Sequence, residues 1–169
     1  FTNIQRFEGI NGATNVDEKW KMLGSPLFDD KDCFATSAHK QGVFLSHVLL
    51  LKHIIESKIP YAIIFEDDLH FHKDWSYLAP QYFETTPQDY DILYIGHHSY
   101  WDPESHITQL PVYCLNAYAV TYDGATFLYN SLLQNSSGVY TIDCMIWDKM
   151  CEHIQSDEKN VFCNWYIWN

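Results

Sequence analysis

Apolar and polar positions along the chain keep two rhythms, one helical and one extended. Over residues 41–58, apolar side chains at Phe44, Val48, Leu51 and Ile55 recur at spacings of three and four, which predicts a helix with a broad buried face. The Ser57-Lys58-Ile59-Pro60 stretch ends it, because proline cannot continue a helical ladder. Residues 61–65, Tyr-Ala-Ile-Ile-Phe, form a short continuous apolar run, the pattern of a strand buried on both faces in a mostly parallel sheet. Glu66, Asp67 and Asp68 follow at once. Residues 75–83 predict a helix limited by Pro80, residues 90–95 a second strand ending at Gly96, and the polar stretch 100–110 with Pro103 a surface loop. Residues 117–121 predict a third strand, 123–133 a helix, 135–138 a turn, and 142–154 a helix with Ile142, Met145, Ile146, Met150 and Ile154 on related faces. A last strand opens at residues 161–163. Strands and helices taking turns indicate an α/β fold with a parallel or mixed sheet, in one domain over residues 1–169.

Composition narrows the partners. Ten Lys plus Arg against 22 Asp plus Glu leave a net charge of −12, which argues against nucleic-acid binding, since affinity for a phosphate backbone comes from clustered cations. The longest apolar run of helical character, residues 43–55, is broken by Ser46-His47 and Lys52-His53 and falls short of the ~20 apolar residues of a membrane-spanning helix. No transmembrane segment and no signal peptide are read. The chain begins at Phe1, as an excised fragment would, so the compartment stays open, the cytoplasm being favoured over a secretory lumen. The five cysteines, Cys33, Cys114, Cys144, Cys151 and Cys163, contain no Cys-x-x-Cys pair and read as free buried thiols. Asn135-Ser136-Ser137 matches a glycosylation acceptor triplet.

Three carboxylates ending a buried strand are costly, because each resists desolvation and repels the next. A divalent cation removes that cost. In an extended segment Glu66 and Asp68 share a face and Asp67 points away. Magnesium-like ions are held by one or two carboxylates with substrate phosphates completing the shell, and ligands of open α/β sheets bind beyond the carboxyl ends of strands. Glu66 and Asp68 are therefore the candidate metal ligands, beside a diphosphate. The plain rival is a solvated acidic turn.

The order of segments resembles glycosyltransferase family 25, which includes lipopolysaccharide-modifying and procollagen galactosyltransferases. Gly42 to His47 is similar to the family's Gly-x-x-x-Ser-His segment, and Ile63-Ile64-Phe65-Glu66-Asp67-Asp68-Leu69 to its apolar strand with Glu-Asp-Asp. Asp91 to Gly96 resembles the next strand, Cys114, Ala117-Tyr118 and Gly124-Ala125 match later positions, and Ile142-Asp143 a late Val-Asp pair. At the front, Arg6-Phe7-Glu8-Gly9-Ile10-Asn11-Gly12 is like Arg-Phe-x-Ala-hydrophobic-x-Gly. The resemblance implies a Rossmann-like glycosyltransferase domain of the A type, acting on a nucleotide-sugar donor, UDP-linked galactose or glucose, with Mn2+ (or Mg2+). The acceptor would be a hydroxyl of a glycan or glycoprotein. It also implies that the carboxylate motif anchors the metal, which stabilises the departing diphosphate as a Lewis acid.

An inverting transfer needs a base within hydrogen-bond reach of the acceptor hydroxyl. Asp143, matching the late aspartate, is that candidate, with helix capping as its rival role. Asp148 is an outside candidate. Ser46, His47, Asp67 and Tyr118 are candidate substrate-binding residues; Ser46 and His47 are too far apart around a helix to form a dyad and could equally serve as satisfied polar groups inside the fold. Tyr100 and Trp101 suit a sugar pocket or the core. His70, His72, His97 and His98 read as ordinary loop histidines, and Gly124 and Ala125 as a close helix contact. The chain lacks the family's first apolar strand and its Pro- and Ser-containing tail, so it reads as a trimmed core, a minimal relative or part of a longer protein. Two other functions compete: a catalytically silent carbohydrate- or protein-binding module of the same fold, and a magnesium-dependent phosphohydrolase.

Overall fold

The computed structural model describes residues 3–14, 16–29, 31–98, 107–156 and 163–168. Its longest helix, α2 (Ala38–Glu56), starts where the Ser37 side chain accepts from the Lys40 amide at 3.3 Å, a serine N-cap. It ends before the proline is reached. Lys58 takes a left-handed φ of 53°, and the Lys58 and Ile59 amides turn back to the carbonyls of Ile55 and Ile54 at 3.1 and 3.0 Å. That is the Schellman closure, here made by lysine instead of glycine. The strand β1 (Tyr61–Phe65) follows, then α3 (Trp75–Thr85), β2 (Ile92–His98), β3 (Ile107–Thr108), β4 (Tyr113–Thr121), α4 (Tyr122–Leu133), α5 (Ile142–Gln155) and β5 (Trp165–Trp168).

The five strands form one mixed sheet in the order β1-β4-β2-β5-β3. Only β2 and β5 pair in parallel; β1 with β4, β2 with β4, and β3 with β5 are antiparallel. The expectation of a mostly parallel sheet is thereby corrected. Strands β1, β2 and β5 do run one way, but β4 enters between β1 and β2 in the opposite sense and separates them. Strand β1, expected to be covered on both faces, is an edge among the described residues, and within it only Ile64 is buried.

Alternation along the strands sorts the core into two sides. Ile64, Ile92, Tyr94, Tyr118 and Val120 face Phe44, Val48 and Leu51 of α2, Leu128 of α4 and Met145 of α5. Leu93, Ala119 and Trp168 face Ala79 of α3. Helix α3 contains Pro80 without ending there, and the Trp168 indole N–H reaches the buried Thr86 hydroxyl just after it, at 3.0 Å. Each large apolar side chain so buried contributes about 1.5–3 kcal/mol.

Several details differ from the sequence reading. Part of the expected loop at residues 100–110 is strand β3, and its residues 100–106, with Tyr100 and Trp101, lie outside the described residues. His97 and His98 belong to β2 and not to a loop. The last strand spans Trp165–Trp168, four residues beyond its expected start; residues 161 and 162 also lie outside the description. None of the five cysteines is in a disulfide; Cys33 is exposed and the other four are only partly buried, Cys144 and Cys163 packing against the core, which corrects the expectation of buried thiols. Two elements were not foreseen, α1 (Val16–Met22) and a 3₁₀ helix (Lys31–Thr36). They are tied to α2 by Gln41, which accepts from the Trp20 indole at 3.1 Å and donates to the Ala35 carbonyl at 2.9 Å. Among the described residues no helix is long and apolar enough to cross a membrane.

Candidate active site

Beyond Phe65 the ladder with β4 gains one more bond, as the Glu66 amide donates to the Asn116 carbonyl at 2.8 Å. The chain then turns, with the Leu69 amide reaching back to the Glu66 carbonyl at 3.4 Å. Asp67 and Asp68 occupy this turn and are exposed. The strand alternation expected to put Glu66 and Asp68 on one face therefore stops at Glu66. What remains is a half-buried glutamate at the strand end and two solvent-facing aspartates beside it.

Glu66 is held from behind. Its Oε1 lies 3.2 Å from His47 Nε2, and His47 Nδ1 lies 3.0 Å from the Tyr118 hydroxyl. His47 and Tyr118 are 6% and 1% exposed, so this chain runs from the core of the α2 side to the surface at Glu66. The hydrogen bond from His47 holds the Glu66 carboxyl below its ordinary value, against the opposing effect of its partial burial. Burial pushes the Tyr118 phenol up, with the Glu66 charge adding to the effect. Glu66 is thus an ionised acceptor and Tyr118 a protonated phenol.

Ser46, next to His47 on α2, does something else. Its Oγ donates to the Gly42 carbonyl and accepts from the Ile10 amide, both at 2.7 Å, and so ties the N-terminal segment to the helix. That segment passes α2 with backbone against backbone. A Cβ on Gly42 would lie 2.6 Å from the Ile10 carbonyl oxygen and 2.8 Å from the Gly12 nitrogen. The glycine of the Gly-x-x-x-Ser-His motif provides the crossing, its serine the clamp, and its histidine the hold on Glu66.

Asp143 stands in the first turn of α5 and is not its N-cap; Thr141 is, without a side-chain hydrogen bond of its own. The capping rival for Asp143 is therefore replaced by a weaker one, a carboxylate favoured near the positive end of the helix. Asp143 is close enough to Tyr94 to help raise that phenol, which is pushed up mainly by complete burial. Tyr94 sits opposite Tyr118 in the sheet, their ring centroids 6.4 Å apart. Glu66, His47, Tyr118 and Tyr94 accordingly form a succession of neighbours on the α2 side of the sheet, and α5, which carries Asp143, packs on that same side. Tyr94 was not among the sequence candidates. The signal for it is its match to Tyr118 across the β2–β4 pair, which only the register reveals. Among the described residues the Tyr94 hydroxyl, Asn116 Oδ1 and Thr141 Oγ1 are buried without a hydrogen-bond partner.

Other candidates are placed elsewhere. Asp148 accepts from the Tyr140 hydroxyl. His72 Nδ1 accepts from the Asp74 amide at 3.2 Å, an ordinary loop contact, and His70 is exposed. Gly124 is a packing glycine, since a Cβ there would lie 2.3 Å from the Asp91 carbonyl oxygen.

Among the described residues no group of three or more His, Cys, Asp or Glu side chains is arranged to hold a metal ion. An all-protein cage is therefore not what these residues fit. Their chemistry fits a hard cation that takes one or two carboxylates and draws its remaining oxygens from phosphate and water. Glu66 Oε2 and both exposed aspartates make no hydrogen bond within the described residues.

Comparison with known proteins bears on the whole of this region. No curated protein matches the chain. The family model described as glycosyltransferase family 25 (LPS biosynthesis protein) matches residues 2–142, which takes in Ser46, His47, the acidic triplet and Tyr118 and stops one residue before Asp143. With most of its 169 residues covered in this way, the chain belongs to glycosyltransferase family 25.

Proposed function

We propose that this glycosyltransferase moves a hexose, galactose or glucose, from a UDP-linked donor to a hydroxyl of a glycan or glycoprotein acceptor, with inversion and with Mn2+ or Mg2+ assistance. The observation that carries the reading is Glu66: an ionised carboxylate at the carboxyl end of β1, held by His47 on one oxygen, with Asp67 and Asp68 exposed beside it. Ligands of open α/β sheets bind at such strand ends. The arrangement of β1, β2 and β5 in one direction, with helices on both sides of the sheet, agrees with a Rossmann-like domain of the A type.

Glu66 and Asp68 would hold the metal, which when bound supplies a positive charge against the departing diphosphate. It also lets a chain of net charge −12 accept an anionic donor. Asp67 faces the same solvent and would bind donor hydroxyls. Asp143 would take the proton of the acceptor hydroxyl as its oxygen attacks the anomeric carbon and the C–O bond to the diphosphate breaks. The packing of α5 on the side of the sheet that carries His47 and Tyr118 supports that assignment.

Calorimetric titration of UDP with and without Mn2+, on the wild type and on Glu66→Ala/Asp68→Ala, tests the reading. Binding that requires both the cation and the carboxylates is expected. Equal binding by the double variant removes the metal assignment, and sugar binding without donor turnover favours the silent module.

A further inference from the structure

We propose that Tyr118 and His47 act as a positioning pair for Glu66: the phenol fixes the imidazole tautomer, and the imidazole then fixes one carboxylate oxygen and leaves the other free. The inference rests on the reading of Glu66 as the donor-site carboxylate. It differs from a substrate-binding role for the pair, because both side chains are buried and their polar atoms are turned to one another and to Glu66.

The hydrogens follow from the partners. An ionised carboxylate only accepts, so His47 Nε2 must carry a proton toward Glu66 Oε1, 3.2 Å away. In the neutral ring Nδ1 presents its lone pair, and the Tyr118 hydroxyl, 3.0 Å away, donates to it; a doubly protonated ring would put an N–H on the phenol oxygen and leave the buried phenol proton no acceptor among the described residues. The opposite tautomer would aim a nitrogen lone pair at the carboxylate. It would also put an N–H on the phenol oxygen, leaving the buried phenol proton no acceptor among the described residues. One arrangement satisfies all three groups, and it is directional: Tyr118 O–H to Nδ1, Nε2–H to Oε1.

The consequence is orientation. Glu66 lies at the last rung before the turn, where a free glutamate samples several rotamers. A buried donor on Oε1 confines it and leaves Oε2 for a ligand. Partners of this kind behind a liganding group change its affinity for metal by about 10–100-fold. Neither Tyr118 nor His47 need touch substrate to do so.

Two measurements on the full chain test the pair. Histidine-labelled protein is examined by long-range nitrogen–proton correlation in the absence of ligand, with His47→Gln assigning the signal among the nine histidines. The wild type is expected to show His47 in the Nε2–H form, and Tyr118→Phe, which keeps the ring and removes the donor, to release it to a mixture. An Nδ1–H form in the wild type, or an unchanged signal in Tyr118→Phe, overturns the proposal. Calorimetry with Mn2+ and UDP is the second readout. Affinity is expected to fall about 10–100-fold in His47→Ala and measurably in Tyr118→Phe. His47→Gln, whose amide donates near the Nε2 position, should recover part of it. Variants that bind as tightly as the wild type overturn the positioning role. A wild type that binds no Mn2+ and UDP overturns the metal reading of Glu66 instead, and the nitrogen spectrum of the free protein still decides the pair.

Discussion

Gly42→Ala tests whether the N-terminal segment is fastened to α2 by direct backbone contact. In an isolated helix interior the change favours folding by about 1 kcal/mol, since alanine is the better helix former. Here the added Cβ would meet the Ile10 carbonyl oxygen at 2.6 Å and the Gly12 nitrogen at 2.8 Å. Both are backbone atoms and neither can rotate away. Overpacking of this kind costs about 1–3 kcal/mol. Moving the segment aside also breaks the 2.7 Å bond from the Ile10 amide to Ser46, worth about 1 kcal/mol. The losses exceed the helix gain, and the net expectation is a destabilisation of about 2 kcal/mol. For a chain of this size that lowers the thermal midpoint by roughly 4–8 °C. Urea unfolding monitored by far-ultraviolet circular dichroism, with thermal melts alongside, measures it. Gly9→Ala is the control, because its Cβ would find only Ser46 Oγ, at 3.7 Å; it should lie within about 0.5 kcal/mol of the wild type. The pair Gly42→Ala and Gly12→Ala adds a second check. A Cβ on Gly12 would lie 1.5 Å from the Ala38 carbonyl oxygen, and one displacement of the segment relieves both clashes, so the double variant should cost less than the sum. A Gly42→Ala protein as stable as the wild type, or strictly additive costs, would refute the backbone crossing.

Three further outcomes are expected. Thr121→Ala should cost about 1 kcal/mol in urea unfolding, because the Thr121 hydroxyl accepts from the Gly124 amide at 3.0 Å and caps α4; Thr121→Ser should restore most of it. The Glu66 carboxyl is held below its ordinary value of 4.5 by the His47 hydrogen bond, so in the window between the two values the unfolded state binds more protons and stability rises with pH. That contribution is complete above about 4.5 and is lost as pH falls through the lower, folded value; Glu66→Gln should therefore show a flatter acid limb than the wild type, and an identical limb would contradict the assignment. Asp143→Asn should lower donor turnover by about 10²–10⁴-fold with UDP binding retained, while its place in the first turn of α5 limits the stability change to about 0.3–1 kcal/mol; full turnover would exclude it as the base.

What the sequence discloses about this protein depends on how far apart the interacting residues lie. Helix α2 was legible because Phe44, Val48 and Leu51 repeat within one element, and β1 because its apolar run is continuous. Helix α1 was not: it has seven residues and one buried side chain, Trp20, and is secured by Gln41, 21 residues away. The same limit governs the sheet. Nothing in residues 113–121 announces that they run between β1 and β2, since that place is set by pairing with strands on both sides at once. Local alternation also misled at the acidic triplet, where a turn at Asp67 and Asp68 replaced the extended chain that would have aligned Glu66 with Asp68.

The candidate site divides along the same line. That acids stand at a strand end can be read from six or seven consecutive residues. What gives one of them a fixed direction comes from positions 19 and 71 residues apart, Glu66 to His47 and His47 to Tyr118. Taken alone, His47 is one histidine on an apolar helix face and Tyr118 one aromatic in a buried strand, and each has core packing as its ordinary explanation. Their hydrogen-bonding atoms remove that explanation, because a buried imidazole with partners on both nitrogens is costly to assemble unless every proton has a place. Here every proton does, and the chain of bonds points outward. The three unpartnered polar atoms nearby, on Tyr94, Asn116 and Thr141, belong to the opposite case. They are polar groups whose partners are not in the described fold: Thr141 is the N-cap of α5, and Asn116 sits on β4 where its carbonyl accepts from the Glu66 amide. The polar chain behind Glu66 is already built, whereas these three buried atoms leave hydrogen-bonding capacity unused among the described residues, a demand that ordered water commonly meets in buried polar sites.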